Sequence, residues 1–126
     1  MTDAQVLLVE DNEKNMKLFR DVLRTAGYET LEATTGQRAV EIAVEHEPDV
    51  VLMDVQLPDI DGVEALRRLR ANRRTAAIPV IALTAQAMHG DRERFLSAGF
   101  DKYVAKPVDI VALVDTVDEY CDGRGR

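Results

Sequence analysis

The chain has 126 residues, 46% of them hydrophobic and 31% charged, with 16 basic against 23 acidic side chains and a net charge of −7. That is one domain's length with a core of its own; no apolar run approaches the ~18 residues of a membrane span, and Met1-Thr2-Asp3-Ala4 lacks a secretory signal's basic start. The negative charge repels phosphate backbones and anionic lipids, and the single cysteine, Cys121, makes neither an internal disulfide nor a multi-cysteine metal site, so the expectation is a small acidic cytoplasmic domain without direct nucleic-acid or membrane binding.

The first apolar run, Val6-Leu7-Leu8-Val9, reads as a strand covered on both faces, and Glu10 and Asp11 follow it directly. Residues 13–26 place Met16, Phe19, Val22, Leu23 and Ala26 on one stripe, a helix that Gly27 stops. Residues 28–33 alternate like an edge strand. Ala39, Val40, Ala43 and Val44 mark a helix over 37–47 that ends before Pro48. A second apolar run, Val50-Val51-Leu52-Met53, leads into Asp54. The next helix, 62–72, carries Val63, Leu66 and Leu69 against Arg67, Arg68 and Arg70. The third apolar run, Val80-Ile81-Ala82-Leu83, leads into Thr84, and a short helix near 89–98 uses Phe95 and Leu96 and stops at Gly99. Lys102-Tyr103-Val104-Ala105-Lys106 is a second edge strand, its bracketing lysines discouraging edge-to-edge pairing. The last helix, 109–121, aligns Ile110, Leu113, Val114, Val117 and Cys121, and 122–126 reads as a frayed tail.

This strict alternation of strand and helix implies an α/β fold with a five-stranded parallel sheet and helices on both faces. Two weak strands flanking three central ones fit the doubly wound flavodoxin-like order 2-1-3-4-5, in one domain spanning 1–126 with its core over 5–121.

Glu10, Asp11, Asp54, Thr84 and Lys106 all directly follow strands, so the fold gathers them at one rim of the sheet, beside the crevice where the first and third strands diverge. Two carboxylates ~4 Å apart repel by roughly 4 kcal/mol at an effective dielectric near 20. Three gathered together protonate, splay apart or share a cation, and an oxygen-only set this small suits Mg²⁺ better than Ca²⁺. For any one of these residues a solvated strand rim is the plainer reading. Three acids, a hydroxyl and an ammonium converging on one crevice instead describe a site for a phosphoryl group bridged by a divalent metal.

Four segments in order, Val9-Glu10-Asp11-Asn12, Val51 to Pro58 with Asp61-Gly62, Ala82-Leu83-Thr84-Ala85, and Tyr103-Val104-Ala105-Lys106-Pro107, resemble the signature of two-component response regulator receiver domains with the CheY-like fold. The stretch from Glu10 to Arg20 most resembles single-domain regulators of the cell-division (DivK-like) type, and Ala85 to Arg92 is shared with receivers attached to hybrid histidine kinases. The resemblance implies that Asp54 is the phosphoacceptor for a sensor histidine kinase or histidine phosphotransfer protein. It implies Mg²⁺ held by Asp11, Asp54 and the Gln56 carbonyl, with Glu10 acting through a bridging water. Lys106, the Thr84 hydroxyl and the Ala85 amide would bind the phosphoryl oxygens, Lys106-Pro107 would be cis, and Tyr103 would be the rotameric reporter. The resemblance also implies a module that is not an enzyme beyond self-catalysed phosphorylation and autodephosphorylation. Its output would be the binding of a downstream effector protein at the fourth helix, fifth strand and fifth helix, by a monomer or a phosphorylation-dependent dimer.

Other residues have plainer readings. Outside its motif Tyr103 is an ordinary edge-strand aromatic. Gln56 and Gln86 stand where such domains tune acyl-phosphate lifetime, and equally read as idle surface amides. His46 and His89 lack a partner at ligand spacing. The arginines at 67, 68, 70, 73 and 74 read as a solvated helix face, with kinase docking a minor reading, and Gly62 and Gly99 as backbone punctuation. Glu10-Asp11 departs from the family's commoner Asp-Asp pair. Competing functions are a receiver excised from a hybrid kinase, a receiver-like scaffold that no longer takes phosphate, and an aspartate-nucleophile phosphatase of haloacid dehalogenase type. The last wants a second aspartate where this chain has Gln56.

Overall fold

A computed structural model describes residues 4–84 and 91–121. The elements run β1 (Gln5–Val9), α1 (Glu13–Thr25), β2 (Glu29–Ala33), α2 (Gly36–His46), β3 (Val50–Asp54), α3 (Gly62–Ala71), β4 (Val80–Thr84), α4 (Asp91–Ala98), β5 (Lys102–Ala105) and α5 (Ile110–Cys121). Every neighbouring strand pair is parallel, and the order is β2-β1-β3-β4-β5, as the two weak edge strands and three apolar ones foretell. Among the described residues, no helix is long and apolar enough to cross a membrane.

The three central strands are buried on both faces because successive side chains feed different layers. Leu7, Val9, Val51, Met53, Val80 and Ala82 join one cluster with Ala39, Ala43, Leu66, Leu69 and Phe95 from α2, α3 and α4. Val6, Leu8, Val50, Leu52, Ile81 and Leu83 join the other with Met16, Phe19 and Leu23 of α1 and Leu113, Val117 and Cys121 of α5.

Helix boundaries follow local chemistry. Asn12, Thr35 and Asp61 cap α1, α2 and α3, each side chain accepting the N–H three residues on. Gly27 and Gly99 take φ of 100° and 115° just past α1 and α4, the left-handed geometry that ends a helix. Glu47, a non-glycine residue at φ 48°, closes α2 in the same way. Gly62 is more than punctuation. A β-carbon there would lie 2.7 Å from Val55 Cα, so its absence lets α3 start directly against the segment after Asp54.

One expectation is corrected. Arg70 is not part of a solvated face: its guanidinium donates to the carbonyls of Ala76, Ile78 and Gly99 and to the Asp101 carboxylate at 2.6–3.2 Å. It knots the α3–β4 connection to the turn between α4 and β5. Arg67 and Arg68 are exposed and pair with Glu64, as a solvated face would.

Candidate functional site

The parallel order dictates where the site lies. Each strand's carboxyl end points to the same rim, so β1 delivers Glu10 and Asp11, β3 ends on Asp54, β4 ends on Thr84, and β5 leads into Lys106. Carboxylate oxygens of Glu10, Asp11 and Asp54 all lie within 4.8 Å of one another, the one grouping of this kind among the described residues. His46 takes no part in it; its nearest charged neighbour is Glu45 at 3.8 Å.

Burial divides the three acids. Glu10 is 2% exposed and Asp54 5%, whereas Asp11 faces solvent. Lys106 Nζ stands between the buried pair, 2.8 Å from Glu10 Oε2 and 2.9 Å from Asp54 Oδ2. The other oxygen of each is held by backbone: Asp54 Oδ1 accepts from Gln56 N at 2.9 Å, and Glu10 Oε1 from Asn12 N at 3.2 Å. The Asp54 carboxylate is therefore held at both of its oxygens.

Electrostatics follow from that crowding. Burial raises the Glu10 pKa above its ordinary value, and the Asp54 charge beside it adds to the rise while the Lys106 ammonium opposes it. Burial alone would lower the Lys106 pKa, but its hydrogen bonds to Glu10 and Asp54 outweigh that and leave it raised, so the lysine stays charged. One ammonium against three carboxylates leaves the cluster net negative. An all-oxygen set with one solvent-facing member fits a hard divalent ion that keeps some water.

Thr84 is fully buried; its backbone carbonyl accepts the Lys106 N–H at 2.8 Å, which extends the β4–β5 ladder and anchors the lysine's backbone. The Lys106-Pro107 peptide is cis, as the motif resemblance implies. Tyr103 lies outside the acidic cluster, half-buried on β5, its ring stacked on Phe95 of α4 with centroids 6.0 Å apart. Ala85, Gln86, His89 and the tail 122–126 lie outside the described residues.

Two contributors escape sequence reasoning. Asp59 accepts the N–H groups of Gly36 at 2.8 Å and Gln37 at 3.0 Å, capping α2 from the loop that follows Asp54. Phe95 reads in sequence as one apolar helix position, yet it contacts both Phe100 and Tyr103. Neither pairing has a local spacing that would reveal it.

The model of the response regulator receiver domain matches residues 6–118. The polar-differentiation response regulator DivK of Brucella ovis is 45% identical over 115 residues, covering 91% of this chain and 94% of that protein. A receiver domain of a sensor histidine kinase from Pseudomonas aeruginosa PAO1, with a magnesium ion coordinated in its active-site cleft, superposes with a TM-score of 0.87 at 39% identity, covering 94% of this chain and 98% of that one. The chemotaxis response regulator CheY4 of Vibrio cholerae superposes with a TM-score of 0.88 at 26% identity, over 94% of this chain and 99% of that one.

Proposed function

The chain belongs to the response regulator receiver domain family, and from that membership we propose that it is a phosphorylation-switched binding module of the DivK-like single-domain type, with Asp54 as its phosphoacceptor. The observation that carries the reading is the Asp54 carboxylate. It is buried at the rim, oriented by Gln56 N and Lys106 Nζ, and within 4.8 Å of two further acids.

A carboxylate oxygen of Asp54 attacks the phosphorus of a phosphohistidine on a kinase or phosphotransfer protein. A phosphorus–oxygen bond forms, the phosphorus–nitrogen bond breaks, and the departing imidazole keeps the electron pair. The charge spreading over the equatorial oxygens needs cations already in position, because reorganisation at the moment of transfer costs rate. Lys106 is one, fixed 2.9 Å from Asp54. Mg²⁺, held by Asp11, Asp54 and the Gln56 carbonyl with Glu10 acting through water, would neutralise charge on the transferring group. The Thr84 hydroxyl and the Ala85 amide are assigned to the phosphoryl oxygens of the product, and Tyr103 to the movement that reports it.

Phosphorylating a carboxylate adds roughly one further negative charge and new acceptor oxygens. A switch needs an element with two arrangements, and the Thr84 hydroxyl with the loop after it is the one assigned to that rearrangement. The proposed output face is α4, β5 and α5, where Tyr103 already stacks on Phe95. A protein donor is supported by a groove of about 380 Å³ that Lys106 lines together with Asn15, Leu18, Phe19, Pro107 and Val108. The module acts in the cytoplasm as one receiver unit, and its only catalysis is of its own phosphorylation and dephosphorylation.

Incubation with acetyl phosphate and Mg²⁺, followed by intact-protein mass spectrometry, tests the reading. One phosphoryl mass increment is expected in the wild type, none in Asp54→Asn and none with excess chelator. Uptake by Asp54→Asn equal to wild type would overturn it.

A further inference from the structure

We propose that Asp59 and Gly36 clamp the loop after β3 to the amino end of α2, and that this clamp positions the backbone of Gln56 beside the acceptor carboxylate. Asp59 stands outside the acidic cluster and acts on it through the chain, as a positioning residue; its task rests on the phosphoacceptor reading of Asp54.

Gln56 meets the acceptor with its main chain. Its N–H donates to Asp54 Oδ1 at 2.9 Å, and its carbonyl is the one assigned to the divalent ion. Gln56 is itself exposed, so burial does not hold that peptide in place, and its position depends on where the loop is fastened.

The loop is fastened on both sides of Gln56. On one side Val55 is locked, its N–H donating to the Leu83 carbonyl at 3.1 Å and its carbonyl accepting the Gly62 N–H at 3.0 Å. On the other side Asp59 reaches across to α2 and uses both carboxylate oxygens, accepting the Gly36 N–H at 2.8 Å and the Gln37 N–H at 3.0 Å. Those two donors are available because the first N–H groups of a helix lack partners within it and Thr35 satisfies only that of Arg38. Gly36 lets the segments touch: a β-carbon there would stand 2.5 Å from Ile60 Cγ1 and 3.1 Å from the Ile60 carbonyl oxygen. Only Leu57 and Pro58 lie between Gln56 and Asp59. Proline fixes its own φ near about −65° and restricts the residue before it, so this tether transmits a displacement at Asp59 to Gln56.

Two variants load the clamp from opposite sides. Asp59→Ala removes the acceptor. Gly36→Ala keeps Asp59 and gives α2 a better helix former, but wedges Ile60 away. Three readouts follow: the ¹⁵N order parameter of the Gln56 amide without metal, Mg²⁺ affinity by calorimetry, and the rate of phosphoryl uptake from acetyl phosphate. The Val51 amide of β3, bonded to the Pro79 carbonyl at 2.9 Å, reports on the sheet as a reference. In both variants the Gln56 order parameter is expected to fall from about 0.85 toward about 0.6, with Val51 unchanged. Mg²⁺ affinity falls about tenfold, as when the support of a metal ligand is removed. Uptake also falls about tenfold, since about 1 Å of misplacement costs up to a hundred-fold.

A Gln56 order parameter unchanged in Asp59→Ala, with only the Gly36 and Gln37 amides loosened, would overturn the proposal and leave Asp59 a cap of α2 alone. Equal loss of order at Val51 and Gln56 would overturn it too, because that marks a general loosening. Should Asp59→Ala not fold, Gly36→Ala decides by the same readouts. Should the wild type take up no phosphoryl group, the phosphoacceptor reading fails while the Gln56 order parameter still decides the clamp.

Discussion

Asp59 caps a helix that is not its own: its carboxylate accepts the Gly36 N–H at 2.8 Å and so closes the amino end of α2 from the loop after β3. The N–H groups of Gln37 and Gly36 hold its pKa at about 2, below the ordinary 3.8. A depressed carboxyl pKa contributes stability that is complete above the unfolded value and is lost as pH falls through the folded one. Between pH 4 and 2 the wild type is expected to lose this contribution, and Asp59→Asn to show a smaller fall. Glu64 titrates in the same window under the influence of Arg67 and Arg68, so the difference between the two urea-unfolding curves isolates Asp59. Parallel curves would refute the cap's contribution.

Gly62→Ala sets two effects against each other. Helix propensity favours alanine by about 1 kcal/mol. Against that, the new methyl would lie 2.7 Å from Val55 Cα and 3.2 Å from the Asp54 carbonyl, backbone atoms that cannot swing away. Strain wins, with an expected net destabilisation of about 1–3 kcal/mol. Because the clash falls on the segment after Asp54, phosphoryl uptake is expected to slow as well. Thermal denaturation with a labelling time course measures both, and a stabilised variant would contradict the packing argument.

Mg²⁺ is expected to raise the melting temperature of the wild type. At a hundredfold excess over its dissociation constant the ion adds about 2.7 kcal/mol, provided the unfolded chain does not bind it. Asp11→Ala and Asp54→Ala should each lose most of that increment. A calorimetric scan with and without chelator suffices, and an equal increment in all three proteins would place the ion elsewhere.

Lys106→Met leaves Glu10 and Asp54 buried side by side without their shared cation. Removing one partner from a buried ion pair costs about 3–5 kcal/mol; with 17% of the lysine side chain exposed, the lower end applies. Glu10 already has a raised pKa because of burial, and without the lysine it rises further. A raised carboxyl pKa contributes stability at low pH that is lost as pH climbs through the folded value. The deficit of the variant should therefore be larger at pH 8 than at pH 5, which chemical denaturation at the two pH values will show.

The strand order, both core layers and the convergence of Glu10, Asp11, Asp54, Thr84 and Lys106 are legible in the sequence because they follow from period and polarity. An apolar run followed by an acid needs no knowledge of distant residues to be read as a strand ending at a rim. Arg70 shows where that stops. Its neighbours Arg67 and Arg68 share its composition and helix, but only Arg70 faces the carbonyls of Ile78 and Gly99, a consequence of tertiary approach. Gly62 and Asp59 are hidden for the same reason: a missing methyl and a borrowed cap act across separate elements. The motif resemblance already gives Glu10 a less direct role than Asp11, but the burial of Glu10 and its 2.8 Å bond to Lys106 come only from the fold.

The layer beneath α1 and α5 has a consequence for biosynthesis. Val6 and Leu8, near the start of the chain, share their cluster with Leu113, Val117 and Cys121 near its end, and the Tyr28 hydroxyl at the entrance to β2 donates to Asp118. That half of the hydrophobic layer stays uncovered while a nascent chain is still threaded through the ribosomal tunnel. The first strand is sealed on that face only once α5 has docked, so the layer closes through contacts between segments far apart in the chain.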